Sequence, residues 1–206
     1  MVEILSKWIN EKYLNESNIK KINQNFQKSK PYPNFALKDF FNKNGILKLR
    51  NEVQKEKFEK IEKDLFSLSH TKDLVSSQNP LIKEFYNLLS SKEFIFFIKK
   101  LTRDRLSLKI DMQSHSMVQG DYLLFHDDVV EGRKIAYIVY LETLKSSNGG
   151  SLRLYGIKNP LNPITKITPT FCTFACFKVS SKSLHDVEEI KSNKKRLTIG
   201  GWFYGN

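Results

Sequence analysis

Two cysteines, Cys172 and Cys176, are all that the 206 residues contain. In an extended stretch, "FCTFACF" sets them too far apart to bridge, so they are expected as buried free thiols with no bearing on catalysis. Long apolar runs are lacking as well: no stretch of about 18 such residues occurs, and "MVEILSKWINEKYL" at the start has no apolar core or small-residue cleavage site. A membrane span and a secretory leader are not expected, and an intracellular protein is, cytoplasmic or, in a eukaryote, also nuclear. Internal repeats and low-complexity tracts are absent, which argues against a solenoid or a linker. Acidic charge is in deficit, with 22 Asp and Glu against 34 Lys and Arg, a net charge of +12. Such an excess favours anionic partners such as nucleic acid, ribosomes or anionic metabolites but does not choose among them. Much of it is Lys on stretches such as "KFEKIEKDL", where a solvated face is the plainer explanation.

What is present falls into two halves. Apolar residues near a 3.6 period predict helices over "VEILSKWINEKYL", "ESNIKKINQNFQKS", "NGILKLRNEVQKEKFEKIEKDL" and "PLIKEFYNLLSSKEFIFFIKKL". "PYPNFALKDFF" interrupts them, predicting a first strand that leads to a turn or helix entry at Asn44-Gly45. From about residue 106 short β-branched and aromatic segments follow, "LSLKIDMQSHSMV", "DYLLFHDD", "KIAYIVYLE", "GSLRLYG", "PTFCTFACFKVS" and "RLTIGGWFYG", separated by Gly, Asn, Pro or Ser. The expectation is an α+β domain spanning 1–206, with helices over about 1–105 supporting an antiparallel β-core over about 106–206.

Only four histidines occur, and one stands in "LLFHDDVVEGRKIAYIVYL". Strand alternation makes His126 and Asp128 project the same way at a strand end. His185, in "SSKSLHDVEEI", can join them if two antiparallel strands bring their ends together. Two imidazoles and a carboxylate leave about three of six octahedral positions open, the ligand set of non-haem Fe(II) oxygenases. The same donors with one water also suit a catalytic zinc hydrolase. An isolated H-x-D is more often an ordinary polar pair at a strand end. The C-terminus adds weight: in "KKRLTIGGWF", Arg196 and Thr198 share a strand face and can grip a carboxylate through a guanidinium fork and a hydroxyl. A base pointing into a β-core needs an anionic partner, and the distal carboxylate of an iron-chelating 2-oxoglutarate would supply it.

H-x-D, "EGRKIAYIVYL", "GGSLRLYG", "CFKVSSKSLHDV" and "RLTIGGWF", in that order, resemble the Fe(II)/2-oxoglutarate-dependent prolyl hydroxylases. The nearest branch is the one whose eukaryotic members hydroxylate a proline of a small-subunit ribosomal protein near the decoding centre. The resemblance runs from about residue 117 to 205 and continues, more faintly, through "PYPNFALKDFF" and "DLFSLSHTKDL". It implies a double-stranded β-helix (jelly-roll) core, His126, Asp128 and His185 as iron ligands, and Arg196 and Thr198 on the distal carboxylate of 2-oxoglutarate. Tyr140 falls where related enzymes place a tyrosine hydroxyl on that carboxylate, although an aromatic filling the core is an equal alternative. Arg133 and Trp202 match positions near the substrate mouth, against a plain turn arginine and a packed tryptophan. Fe(II), 2-oxoglutarate and O2 are the implied cofactors and co-substrates, with ascorbate admitted. The implied partner is a protein substrate, a ribosomal protein, with association to ribosome or RNA through the basic surface.

Two departures stand out. Nine residues before His126 the family commonly has a tyrosine lining the co-substrate pocket, and this chain has Met117. Eukaryotic members of the branch carry a second, non-catalytic β-helix domain after "GWF", whereas this sequence ends at Asn206, so a minimal catalytic unit is expected. His70, in a segment expected as a mobile loop near substrate, and His115 lack ligand spacing and are expected as surface or loop residues. Within the enzyme class the alternative is a hydroxylase of a free amino acid or other small molecule. Outside it, the rival is a catalytically silent RNA- or ribosome-binding module on the same scaffold. The completeness of the set His126, Asp128, His185 and Arg196 counts against silence, and no RNA-recognition motif is present.

Overall fold

A computed structural model describes residues 2–205. Helix α1 (Val2–Trp8) and α2 (Glu16–Lys28) lead to β1 (Asn34–Leu37), and α3 (Lys43–Val53) follows. Asn15 caps α2 by accepting from the backbone N–H of Asn18, and Asn42 caps α3 through Asn44, so Asn44-Gly45 is the helix entry. A hairpin of β2 (Glu59–Lys63) and β3 (Phe66–His70) comes next, then α4 (Pro80–Ser90) and α5 (Lys92–Thr102). The second half is almost wholly strand: β4 (Gln113–Met117), β5 (Tyr122–His126), β6 (Arg133–Tyr140), β7 (Leu152–Gly156), β8 (Asn159–Ile167), β9 (Phe174–Lys178), β10 (His185–Val187) and β11 (Arg196–Tyr204).

Three expectations need correction. The helix drawn through 44–65 stops at Val53, and "EKIEK" is a strand instead. Phe58, Ile61 and Leu65 are spaced like a helix face, but β2 lies beside β3 alone and is almost wholly exposed, so its sequence carries no alternation. The segment expected as a loop around His70 is the second strand of a hairpin. The helix drawn through 80–101 is broken at Ser91. Its backbone N–H closes α4 on Leu88 while its hydroxyl accepts from the N–H of Phe94 to open α5. Strand β8 was not expected; Pro160 and Pro163 argue against a central strand, and β8 escapes the rule by pairing only with β7 at the sheet edge.

The strands run in the order β1-β9-β6-β11-β4-β3-β5-β10-β7-β8, every pairing antiparallel. Period-two alternation sorts β11, β6 and β9 cleanly. Leu197, Ile199 and Phe203, with Ile135, Val139 and Phe174, face the helices and join Phe85, Phe94 and Ile98 in one core. The opposite face sends Ala136, Tyr140 and Phe177 against Leu152, Leu154 and Val187 of β7 and β10 in a second core, so the sheet is folded over on itself. The interior between its two halves opens at one end, and Arg196, Thr198 and Trp202 point into it from β11.

Candidate metal centre and co-substrate pocket

His126 closes β5 and lies directly across from His185 of β10. Between His126/His185 and Leu123/Val187 the register slips, three residues of β5 being spanned by two of β10. This bulge turns both Leu123 and His126 towards the interior and leaves Leu124 and Phe125 exposed. Asp128 lies beyond the strand end and returns towards His126 because its backbone is left-handed, with φ 64°, a conformation Asp tolerates better than most residues. The juxtaposition of His126 and Asp128 thus comes from a turn rather than from strand alternation alone. Ser183 fastens the two segments together, its hydroxyl donating to the carbonyl of Asp127 at 2.7 Å.

The side chains of His126, Asp128 and His185 bring one donor atom each to within 4.8 Å of one another. Nε2 of His126 is 3.5 Å from Oδ1 of Asp128, and Nε2 of His185 is 3.4 Å from Oδ2. Each Nδ1 lies beside a backbone carbonyl, Leu124 at 2.8 Å and Ser183 at 2.7 Å. Those carbonyls can only accept, so in the neutral rings the proton sits on Nδ1 and the Nε2 lone pair faces the carboxylate. Burial, and then the neighbouring His185, holds His126 below its ordinary pKa, in the neutral form that ligates metals. Burial works against charge on Asp128, and a proton taken up by His185 or His126 would offset it, which holds the carboxyl below its usual range. Two lone pairs and a carboxylate converging with no hydrogen to share are mutually repulsive unless a cation sits among them. The residues present therefore fit a divalent metal.

Deeper in, Arg196 is 3% exposed. Its Nε donates to the carbonyl of Gly150 at 3.0 Å, and Nη1 lies 3.4 Å from the Thr198 hydroxyl and 3.7 Å from the Met117 sulfur. It makes no ion pair with a carboxylate among the described residues, and burial pulls its pKa below the ordinary value. The Tyr140 ring lies 5.4 Å from this guanidinium, and its buried hydroxyl, close enough to Arg196 to favour charge on both, makes no close hydrogen bond. A buried cation and an orphaned hydroxyl on one wall are costly in isolation and together fit an incoming carboxylate.

A cavity of about 320 Å³ connects the two clusters, bounded by His126, Asp128 and His185 at one part and by Arg196 and Thr198 at another. Trp202 also lines it, its buried indole N–H near the Asp128 carboxylate and helping to hold it ionised, though without a close hydrogen bond. Arg133 lies behind Trp202, its guanidinium 3.3 Å from the indole ring centre, and does not itself line the cavity. Tyr140 likewise stands behind the wall. His70 and His115, expected as surface or loop histidines, both line the cavity from adjacent strands, with ring centres 6.5 Å apart. His115 shares strand parity with Met117, which was already expected at the pocket wall; that parity was the available signal. The two cysteines are free and buried as expected, and burial raises the Cys172 thiol to about 11.

Residues 112–204 match the 2OG-Fe(II) oxygenase superfamily. The chain belongs to that superfamily. Among curated relatives, prolyl 3-hydroxylase OGFOD1 of Xenopus laevis is 31% identical over 183 residues, 86% of this chain and 36% of the relative. Prolyl 3-hydroxylase sudestada1 of Drosophila melanogaster is 32% identical over 170 residues, 75% of this chain and 31% of the relative. The chain thus spans about a third of the length of these curated relatives. Of solved structures, a Pseudomonas putida prolyl-4-hydroxylase superposes with a TM-score of 0.73 at 14% identity, covering 91% of this chain and 99% of that one. A Trichoplax adhaerens prolyl hydroxylase in complex with a hypoxia inducible factor oxygen degradation domain peptide gives 0.73 at 15%, covering 94% and 92%. The fold is the double-stranded β-helix expected from the sequence.

Proposed function

We propose that this chain is an Fe(II)- and 2-oxoglutarate-dependent dioxygenase that hydroxylates a prolyl residue of a polypeptide. His126, Asp128 and His185 would hold the iron, and Arg196, Thr198 and Tyr140 the distal carboxylate of 2-oxoglutarate. The observation that carries this reading is the conjunction in one cavity of three converging electron-pair donors and a buried Arg196 that no described carboxylate meets. Iron supplies the oxidising chemistry when bound; the protein fixes donors, co-substrate and target carbon in one cavity and excludes water. Arg196 and Thr198 orient the co-substrate by its far end, which leaves its 2-oxo acid end to face the three donors. Trp202, which lines the cavity, would face the substrate, and Arg133, stacked on the indole ring from behind, would hold it in place.

A polypeptide substrate is favoured by the exposed apolar lip formed by Leu124, Phe125, Val129 and Val130 on the segment that carries His126 and Asp128. A free amino acid would leave that lip uncovered. The resemblance to the branch that modifies a small-subunit ribosomal protein directs the search for substrate to ribosomal proteins, and with it to the cytoplasm or nucleus. No described helix is long and apolar enough to cross a membrane.

The test is conversion of 2-oxoglutarate to succinate by purified protein with Fe(II), without and with ribosomal peptides. Mass spectrometry of ribosomal proteins from cells with and without the protein then looks for one added oxygen on a proline. Zinc-dependent hydrolysis with no succinate would overturn the reading. Full cellular function of an Asp128→Ala protein would establish the silent binding module in its place.

A further inference from the structure

The pocket wall has a polar element that neither the metal triad nor the Arg196 fork uses. One rung of the sheet runs across four neighbouring strands: His70 of β3 opposes His115 of β4, His115 opposes Thr198 of β11, and Thr198 opposes Tyr140 of β6. Residues opposed across antiparallel strands carry their side chains on the same face, about 4.5–5.5 Å apart at Cβ. Two members of this rung, Thr198 and Tyr140, are the groups assigned to the co-substrate carboxylate. His115 stands beside Thr198 on the other side, and Met117, the next inward position of β4, opposes Arg196.

Met117 brings its sulfur to 3.7 Å from Arg196 Nη1, and a thioether has no hydrogen to give an incoming carboxylate. His115 lines the cavity and makes no hydrogen bond to any described residue. Its neighbour His70 is anchored, Nδ1 lying 2.8 Å from the carbonyl of Thr71, and its ring stacks at 26° against His115. That stack fixes the plane of His115 from the side remote from Thr198. Burial, reinforced by the nearby Arg196 charge and by His70, lowers His115 to about 4, so at neutral pH it is an uncharged imidazole with one N–H to donate.

We propose that His115 is a co-substrate-binding residue: its imidazole N–H donates to the carboxylate held by Arg196 and Thr198, a donor that Met117 on the same strand face cannot supply, while His70 positions the ring. This rests on the function proposed above and adds to it a donor on β4 that the conventional set does not contain. The prediction is that the pocket is read from both sides of Thr198.

The experiment measures the Kd of 2-oxoglutarate for Mn(II)-loaded protein by calorimetry, so that no turnover is needed, on wild type, His115→Phe, His115→Gln and the double variant His115→Phe with Met117→Tyr. His115→Phe keeps the stack on His70 but removes the N–H, and a roughly tenfold to hundredfold weaker Kd is expected with Mn(II) affinity unchanged. His115→Gln keeps a donor and recovers most of the affinity; the tyrosine at position 117 restores it from the other inward position. An unchanged Kd in His115→Phe overturns the proposal and leaves the proposed function standing. Equal weakening in His115→Phe and His115→Gln, or parallel loss of Mn(II), assigns His115 a structural role and also overturns it. A wild-type protein that binds Mn(II) but not 2-oxoglutarate overturns the function and this inference together.

Discussion

At the scale of single residues, charge and hydrogen-bond accounting decides what each group can be for. Arg196 is the clearest case, since a buried guanidinium satisfied only by a carbonyl, a hydroxyl and a sulfur has given up water for weak partners. Its cost is offset when a carboxylate enters. Arg196→Ala is therefore expected to raise the 2-oxoglutarate concentration needed for half-maximal succinate formation by about tenfold to a hundredfold, corresponding to about 1.5–3 kcal/mol for a charge-assisted pair. Iron affinity should stay within about twofold, because Arg196 reaches neither imidazole. Equal loss of both affinities in a metal titration would show that Arg196 holds up the barrel wall rather than the co-substrate. The residue scale is also where the sequence was most legible. Arg196 and Thr198 could be placed on one face by their spacing along a strand, whereas Asp128 meets His126 through a left-handed turn that spacing did not show, and His115 could not be seen as a pocket residue until its partners across the sheet were known.

Among the elements, legibility followed periodicity. Strands buried on one or both faces, such as β6 and β11, announce themselves through β-branched and aromatic residues, and α2, α4 and α5 through an apolar stripe. Elements at the sheet margin do not. β2 is exposed along nearly its whole length and β8 carries two prolines, so pairing with one neighbour, not composition, makes each a strand. The β2–β3 hairpin matters functionally because it carries His70 and Ile61 into the cavity wall. Asp121, in the turn between β4 and β5, holds it there: its carboxylate, 3% exposed as a residue, accepts from Lys60, from the Ser67 hydroxyl at 2.8 Å and from the N–H of Val118 at 2.9 Å. Asp121→Ala should leave those donors unpaired and loosen the hairpin by about 1–3 kcal/mol. Hydrogen exchange of the amides from 59 to 70 should speed up by about tenfold or more, with α4 and α5 unchanged. Unaltered protection across the hairpin would mean that the ladders of β3 with β4 and β5 suffice to keep it in place.

For the molecule as a whole, the helical half and the β-half share one core, and the site depends on both. Phe174 sits where they meet. On the helix side of β9 its ring lies 4.8 Å from Phe40, 5.6 Å from Phe41, 6.1 Å from Phe94 and 6.0 Å from Phe35, and it is fully buried. Three residues on, Phe177 points the other way and places its ring 4.5 Å from that of His185. The strand is thus a lever between the aromatic core under the helices and the second histidine of the candidate metal centre. Phe174→Ala should cost about 3–5 kcal/mol, as deletions of buried aromatic rings do, and in a chain of this length lower Tm by about 10 °C or more. Because the cavity left behind adjoins both layers, helix loss followed at 222 nm and the release of a bound metal should shift together, in one transition. If the helices instead melted first while the metal stayed bound, the β-core would be shown to stand alone, and the N-terminal helices would be a separable cover rather than part of the frame that holds His185.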